Sequence, residues 1–200
     1  MERTELKLPM TDVHRHLDGS MRWNTLCDLA RRTGQTIPEQ VRFTPGMGLE
    51  EALARFQFTL SCLQTTEAVH RVADEMCVDA AEEGVAHLEI RFAPQLHGMR
   101  IQEVVEAALA GISGRAGLIL CGLYGEPPVV LQELVDVASQ YPGVVGIDLA
   151  GAPLPAHSWS MRDYAPLFQR AGALGLGRTV HAGEGRSAEE IAIAILELGA

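Results

Sequence analysis

Two hundred residues, 47% hydrophobic and 21% charged, suffice for one domain with a sizeable core and lack the composition of a disordered chain. A formal net charge of -10 without a basic run argues against phosphate-backbone partners and anionic membrane surfaces, leaving a small neutral substrate as the better fit. The longest apolar stretches, 116–125 and 191–200, either fall short of the roughly 18 residues that span a bilayer or carry a charge. Cys27, Cys62, Cys77 and Cys121 show no Cys-x-x-Cys spacing and the first ten residues no signal-like apolar region, so reduced, buried thiols in a soluble cytoplasmic protein are expected.

The first predicted strand lies near 10–14. Residues 22–83 then read as several helices, with Leu49, Leu53, Phe56 and Leu60 at helical spacing. This segment is too long for an ordinary crossover, and Phe56, Phe58 and Leu60 fit core better than pocket. A second strand over 85–92 alternates His87, Glu89 and Arg91 with Leu88, Ile90 and Phe92. The polar three read either as a barrel face near a pocket or, preferably, as part of a buried structural ion pair. Further strands are predicted over 118–124, 144–149 and 178–181, with helices between them, and this alternation favours a parallel sheet. Gly172-Ala-Leu-Gly-Leu-Gly177 follows a helix and precedes a strand, the reverse of a dinucleotide loop, and reads as a helix stop.

The chemistry concentrates in two places. His14 and His16 are two apart on a strand and so share a face, as two ligands of one metal must, although surface or satisfied core histidines give the same spacing. Far downstream, Thr179-Val-His-Ala-Gly-Glu184 sets a third imidazole three residues before a carboxylate. Of the remaining histidines, His70 and His97 read as surface positions, His87 belongs to the second strand and His157 to a Pro-rich loop.

Thr11-Asp-Val-His-Arg-His-Leu-Asp-Gly-Ser-Met-Arg22 resembles the first metal motif of the adenosine deaminase family, and His181-Ala-Gly-Glu184 resembles its third-histidine motif. Leu88-Glu-Ile-Arg-Phe-Ala-Pro94 and Gly146-Ile-Asp-Leu-Ala-Gly151 are similar to two further family strands in the same order. The resemblance implies an α/β chain of the TIM-type (β/α) barrel class, with about five of eight strands and a helical insertion over about 22–83 within one partial domain. Its site would lie at the carboxyl ends of the strands, where His14, His16, Gly151 and His181 fall.

The resemblance further implies one zinc ion held by His14, His16 and His181, and Glu184 as the catalytic acid that protonates a purine ring nitrogen. His16, Asp18 and Gly151 would meet the substrate, a purine nucleoside, with Asp18 on the ribose 5′-hydroxyl. The free-base relatives typically carry glutamate at that position. Asp18 as a turn or helix cap and Glu184 as a solvated helix-start residue are the structural alternatives. Binuclear relatives bridge their metals through a lysine on the fourth strand; the only lysine here is Lys7, which favours a single metal.

The expected activity is zinc-dependent deamination of adenosine to inosine and ammonia in purine salvage. Its rivals are an aminohydrolase for adenine or an N6-substituted aminopurine nucleotide, and a non-catalytic binding protein. Ala152-Pro153 replaces acidic residues usual in the family, and Gly122-Leu-Tyr-Gly-Glu126 replaces a segment that often ends in arginine. The family's further aspartate ligand, catalytic histidine and purine-binding aspartate have no counterpart in these 200 residues. Weak or absent turnover and self-association through open sheet edges are therefore expected.

Overall fold

The computed structural model describes residues 9–151, 154, 156–184 and 186–200; Lys7, Ala152 and Pro153 lie outside them. Five parallel strands form a half-barrel in sequence order: β1 (Met10–His16), β2 (Val85–Phe92), β3 (Gly117–Leu123), β4 (Val144–Ala150) and β5 (Gly177–Val180). Three helices lie between β1 and β2: α1 (Trp23–Arg32), α2 (Leu49–Ser61) and α3 (Thr66–Glu82). Single crossover helices join the other strands: α4 (Ile101–Ile112), α5 (Pro128–Ala138) and α6 (Ala165–Ala173), with a short α7 (Glu189–Ile193) after β5.

The inner strands β2, β3 and β4 differ between their two faces, and that decides where the core sits. Leu88, Ile90, Phe92, Leu118, Leu120, Ile147 and Leu149 join the main apolar cluster with α3, α4, α5 and α6. Burying each such side chain contributes about 1.5–3 kcal/mol. The opposite face carries Arg91, Cys121, Asp148 and Thr179, with a small apolar patch of Ala93, Cys121 and Ala150. The sheet is therefore oily toward its helices and polar toward its concave interior, where a site can be built.

α3 shows how sequence sets the helix layer. Thr65 accepts a hydrogen bond from Ala68 N at its start, Glu67 stands in the first turn, and Val69, Val72, Ala73, Met76, Cys77 and Ala80 form the buried stripe. It packs closely on α4 because Gly111 has no side chain: a Cβ there would lie 2.3 Å from the His70 carbonyl. The glycine run after α6 does stop that helix, with Gly175 at φ +81° and Leu176 N bonded to Ala171 O. All four cysteines are free; Cys27 is only half-buried, in the middle of α1, while the others are buried as expected.

His97, expected at the surface, is instead fully buried. Its Nδ1 lies 2.7 Å from the Leu63 carbonyl and must donate to it, which joins the loop after α2 to the turn after β2 and leaves Nε2 without a partner among the described residues. Burial pushes its proton affinity down from the ordinary 6.5. The unfolded chain therefore binds more protons just below that pH, and folding stability falls as pH drops through it. His97→Gln, which can keep the bond to Leu63, should flatten the pH dependence of the unfolding free energy from urea titrations between pH 7 and 5 by up to about 1.4 kcal/mol per pH unit. Equal slopes in the two proteins would contradict this assignment.

Candidate metal centre

The site begins at the end of β1. Between Asp12 and Arg15 that strand advances three residues while β2 advances two, from Leu88 to Ile90, so one extra residue is accommodated around Val13 and His14. With this irregularity the side chains of His14 and His16 turn to the same point. His181 arrives from the other edge of the sheet, one residue past β5, where its N–H still bonds to Leu149 O at 2.9 Å. The Nε2 atoms of His14 and His16 are 3.1 Å apart, and each lies within 3.1 Å of His181 Nε2.

This triangle is chemically demanding. A neutral imidazole nitrogen carries either one proton or one lone pair, so three of them cannot all satisfy one another by hydrogen bonds. Burial first, then the neighbouring imidazoles and Arg91, push His16 down to about 4; burial and Arg91 also lower His14. The cluster thus turns three imidazole nitrogens toward a common point, with His14 and His16 biased to the neutral form that a borderline-soft divalent cation requires. Among the described residues it is the one group of histidine, cysteine or acidic side chains arranged to hold a metal.

Behind His181 stands a network that the sequence did not reveal. Asp148 Oδ2 lies 2.9 Å from His181 Nδ1, at contact distance but short of full hydrogen-bond alignment, and 2.9 Å from Arg91 Nη1. Burial alone would raise this carboxyl, but His181, Arg91 and Thr179 outweigh it and hold it well below the usual carboxylate range. Tyr124 donates to the His181 carbonyl at 2.8 Å. Asp148 lies between Ile147 and Leu149, and a lone acid in an apolar strand was the available signal, because a buried charge needs a partner.

The other residues singled out from sequence are placed less uniformly. Asp18 is buried in the turn Leu17–Gly19, its Oδ1 without a partner among the described residues, and burial pushes it up to about 6. Gly151 ends β4 at φ +81°. Glu184 is exposed in the turn after β5, where its charge raises the proton affinity of His14. Of the polar face of β2, Arg91 forms the expected buried ion pair, whereas His87 is exposed.

A further expectation is overturned: Phe56 is not core. Its ring stands edge-on to His16, centroids 5.8 Å apart, because Gly19 leaves the space; a Cβ there would lie 2.6 Å from the Phe56 ring. Phe56 lines a cleft of about 310 Å³ with Gly19, Trp23, Phe43, Arg42 and Arg55. Buried Arg55 secures this wall by bonding Glu51 and the Arg42 carbonyl, while Arg42 lies over the Trp23 ring at 5.4 Å.

A parallel half-barrel that brings three imidazoles together at its strand ends defines a β/α-barrel chain with a candidate metal centre. The chain belongs to the adenosine deaminase family: the family model described as "Adenosine deaminase" matches residues 9–200. The adenosine deaminase of Enterococcus faecalis is 34% identical over 98% of this chain and 63% of its own length. Among solved structures, an N6-mAMP deaminase from Arabidopsis is similar with a TM-score of 0.80 at 28% identity, covering 96% of this chain and 63% of that one. An adenine deaminase from Arthrobacter aurescens gives 0.82 at 25% identity, covering 96% and 62%. The chain thus spans under two thirds of the length of these relatives.

Gly151 offers a direct check on the local backbone. The space beside it admits a Cβ, with Leu123 Cδ2 3.7 Å away, so strain from its positive φ decides the outcome. Gly151→Ala should lower folding stability by about 1–2 kcal/mol in urea titrations, and an unchanged midpoint would show that this turn does not need the left-handed conformation.

Proposed function

We infer that the chain carries the histidine ligands and acid of a single-zinc deaminase site for converting adenosine, and deoxyadenosine, to the inosine nucleoside and ammonia in purine salvage, with weak turnover expected of these 200 residues. The observation that carries this reading is the convergence of His14, His16 and His181 within 3.1 Å. Nitrogens bound at about 2.0–2.1 Å to one zinc are about 3.3 Å apart, so an expansion of a few tenths of an ångström would let His14, His16 and His181 hold the ion. β4 contains no lysine that could bridge a second metal, which supports one ion.

Zinc bound there would supply an acidified water as the nucleophile for the amino-bearing ring carbon. The chain's own residues do the rest. Glu184, in the turn beyond His181, delivers a proton to a ring nitrogen so that charge does not build up on the purine. Asp18 accepts from the ribose 5′-hydroxyl, His16 flanks the substrate, and the backbone at Gly151 lets the base approach. The Phe56 wall excludes water from one side of the cleft.

A second reading, deamination of adenine or of an N6-substituted nucleotide, draws on the two solved neighbours of those activities. Asp18 favours the nucleoside, because the free-base enzymes typically carry glutamate there. Four cysteines without a disulfide among them favour a reducing, cytoplasmic setting.

Alanine at any one of His14, His16 or His181 should sharply reduce zinc content measured by atomic emission; near-stoichiometric zinc in all three variants would remove the basis of the reading. Glu184→Gln should keep zinc and nucleoside binding but cut ammonia release from adenosine by at least about 100-fold. Asp18→Ala should weaken turnover of adenosine relative to adenine. Adenine or N6-methyl-AMP consumed faster than adenosine by the unmodified protein would transfer the assignment to the second reading.

A further inference from the structure

The histidine triangle leaves one buried group to account for: Arg91, 3% exposed on the concave face of β2. A cation beside a cation site opposes metal binding by its charge, so its value there must be geometric, with Asp148 offsetting the charge. Its guanidinium reaches three strands other than its own. Nη2 donates to the Val13 carbonyl on β1 at 2.7 Å, and Nη1 to Asp148 Oδ2 on β4 at 2.9 Å and Thr179 Oγ1 on β5 at 3.1 Å.

Each contact bears on a ligand. Val13 lies at the irregularity in β1 immediately before His14, and its carbonyl is oriented inward, where Arg91 supplies the donor. Asp148 faces His181 Nδ1, the nitrogen whose proton leaves Nε2 free to ligate. Thr179 is on β5, two residues before His181, which follows that strand directly. β1 and β5 are the two edges of the described sheet and share no ladder, so the ligands they carry are not registered to one another by backbone hydrogen bonds.

We propose that Arg91 is the positioning residue of the metal centre, a fork that fixes the spacing between the His14 bulge on one sheet edge and His181 on the other. The proposal rests on the metal reading of the histidine cluster. A lysine would keep the charge but cannot span three partners, because a single ammonium lacks the planar fork.

The test is zinc affinity, measured on the full chain by competition with a chromophoric chelator, together with the visible spectrum of the cobalt-loaded protein. Arg91→Lys should weaken zinc by about 10- to 100-fold and change the cobalt bands. Thr179→Val, which removes one anchor and keeps the strand, should weaken zinc by about two- to tenfold with a smaller spectral change. Arg115→Met, which breaks the ion pair to Asp74 in the outer helix layer, should change neither. Wild-type affinity and an unchanged cobalt spectrum in Arg91→Lys would overturn the proposal, as would an equal loss in Arg115→Met. If Arg91→Lys does not fold, Thr179→Val decides by the same criteria. His14→Ala separates the two levels: zinc binding equal to wild type there sinks the metal reading itself, whereas zinc lost there but retained in both positioning variants sinks only this proposal.

Discussion

A guanidinium and a carboxylate buried together, Arg91 and Asp148, organise the concave face of this half-barrel. Neither charge is tolerable there alone, since an isolated buried ion costs several kcal/mol even after relaxation. Once paired, they have hydrogen-bonding capacity left over. The arginine uses it on the Val13 carbonyl and Thr179, and the aspartate faces His181. The structural ion pair and the candidate metal centre are therefore joined: the groups that satisfy one buried charge lie on the strands that lead to the imidazoles.

The helices between β1 and β2 add what a bare sheet end lacks. The segment brings Phe56 against His16 and closes one wall of the cleft with Trp23 and Phe43, its loop secured by buried Arg55. α3 meanwhile packs its apolar stripe on α4 and the sheet, so a single stretch of chain supplies both a pocket wall and part of the core.

Much of this was legible in the sequence, and for identifiable reasons. Period-two alternation gave β2 as Val85–Phe92, and the His-x-His spacing predicted two imidazoles on one face. β1 runs two residues further than expected because its irregularity lets His14 and His16 remain in the strand while turning to the site. What could not be read were contacts between distant segments. Nothing local distinguishes His97, buried against Leu63, from surface His70, and the helical spacing of Phe56 does not say whether that face meets core or cleft. Asp148 was visible only as an acid in an apolar strand; its two partners lie 57 and 33 residues away in sequence, so its role is a product of topology.

The central claim, that three imidazoles from opposite edges of the sheet hold one metal ion, is tested most directly by X-ray absorption on the zinc-loaded protein. The account predicts nitrogen neighbours at about 2.0–2.1 Å with the multiple scattering of three imidazole rings, and no sulfur shell. A sulfur distance of about 2.3 Å, or a spectrum without imidazole scattering, would place the metal elsewhere and contradict it.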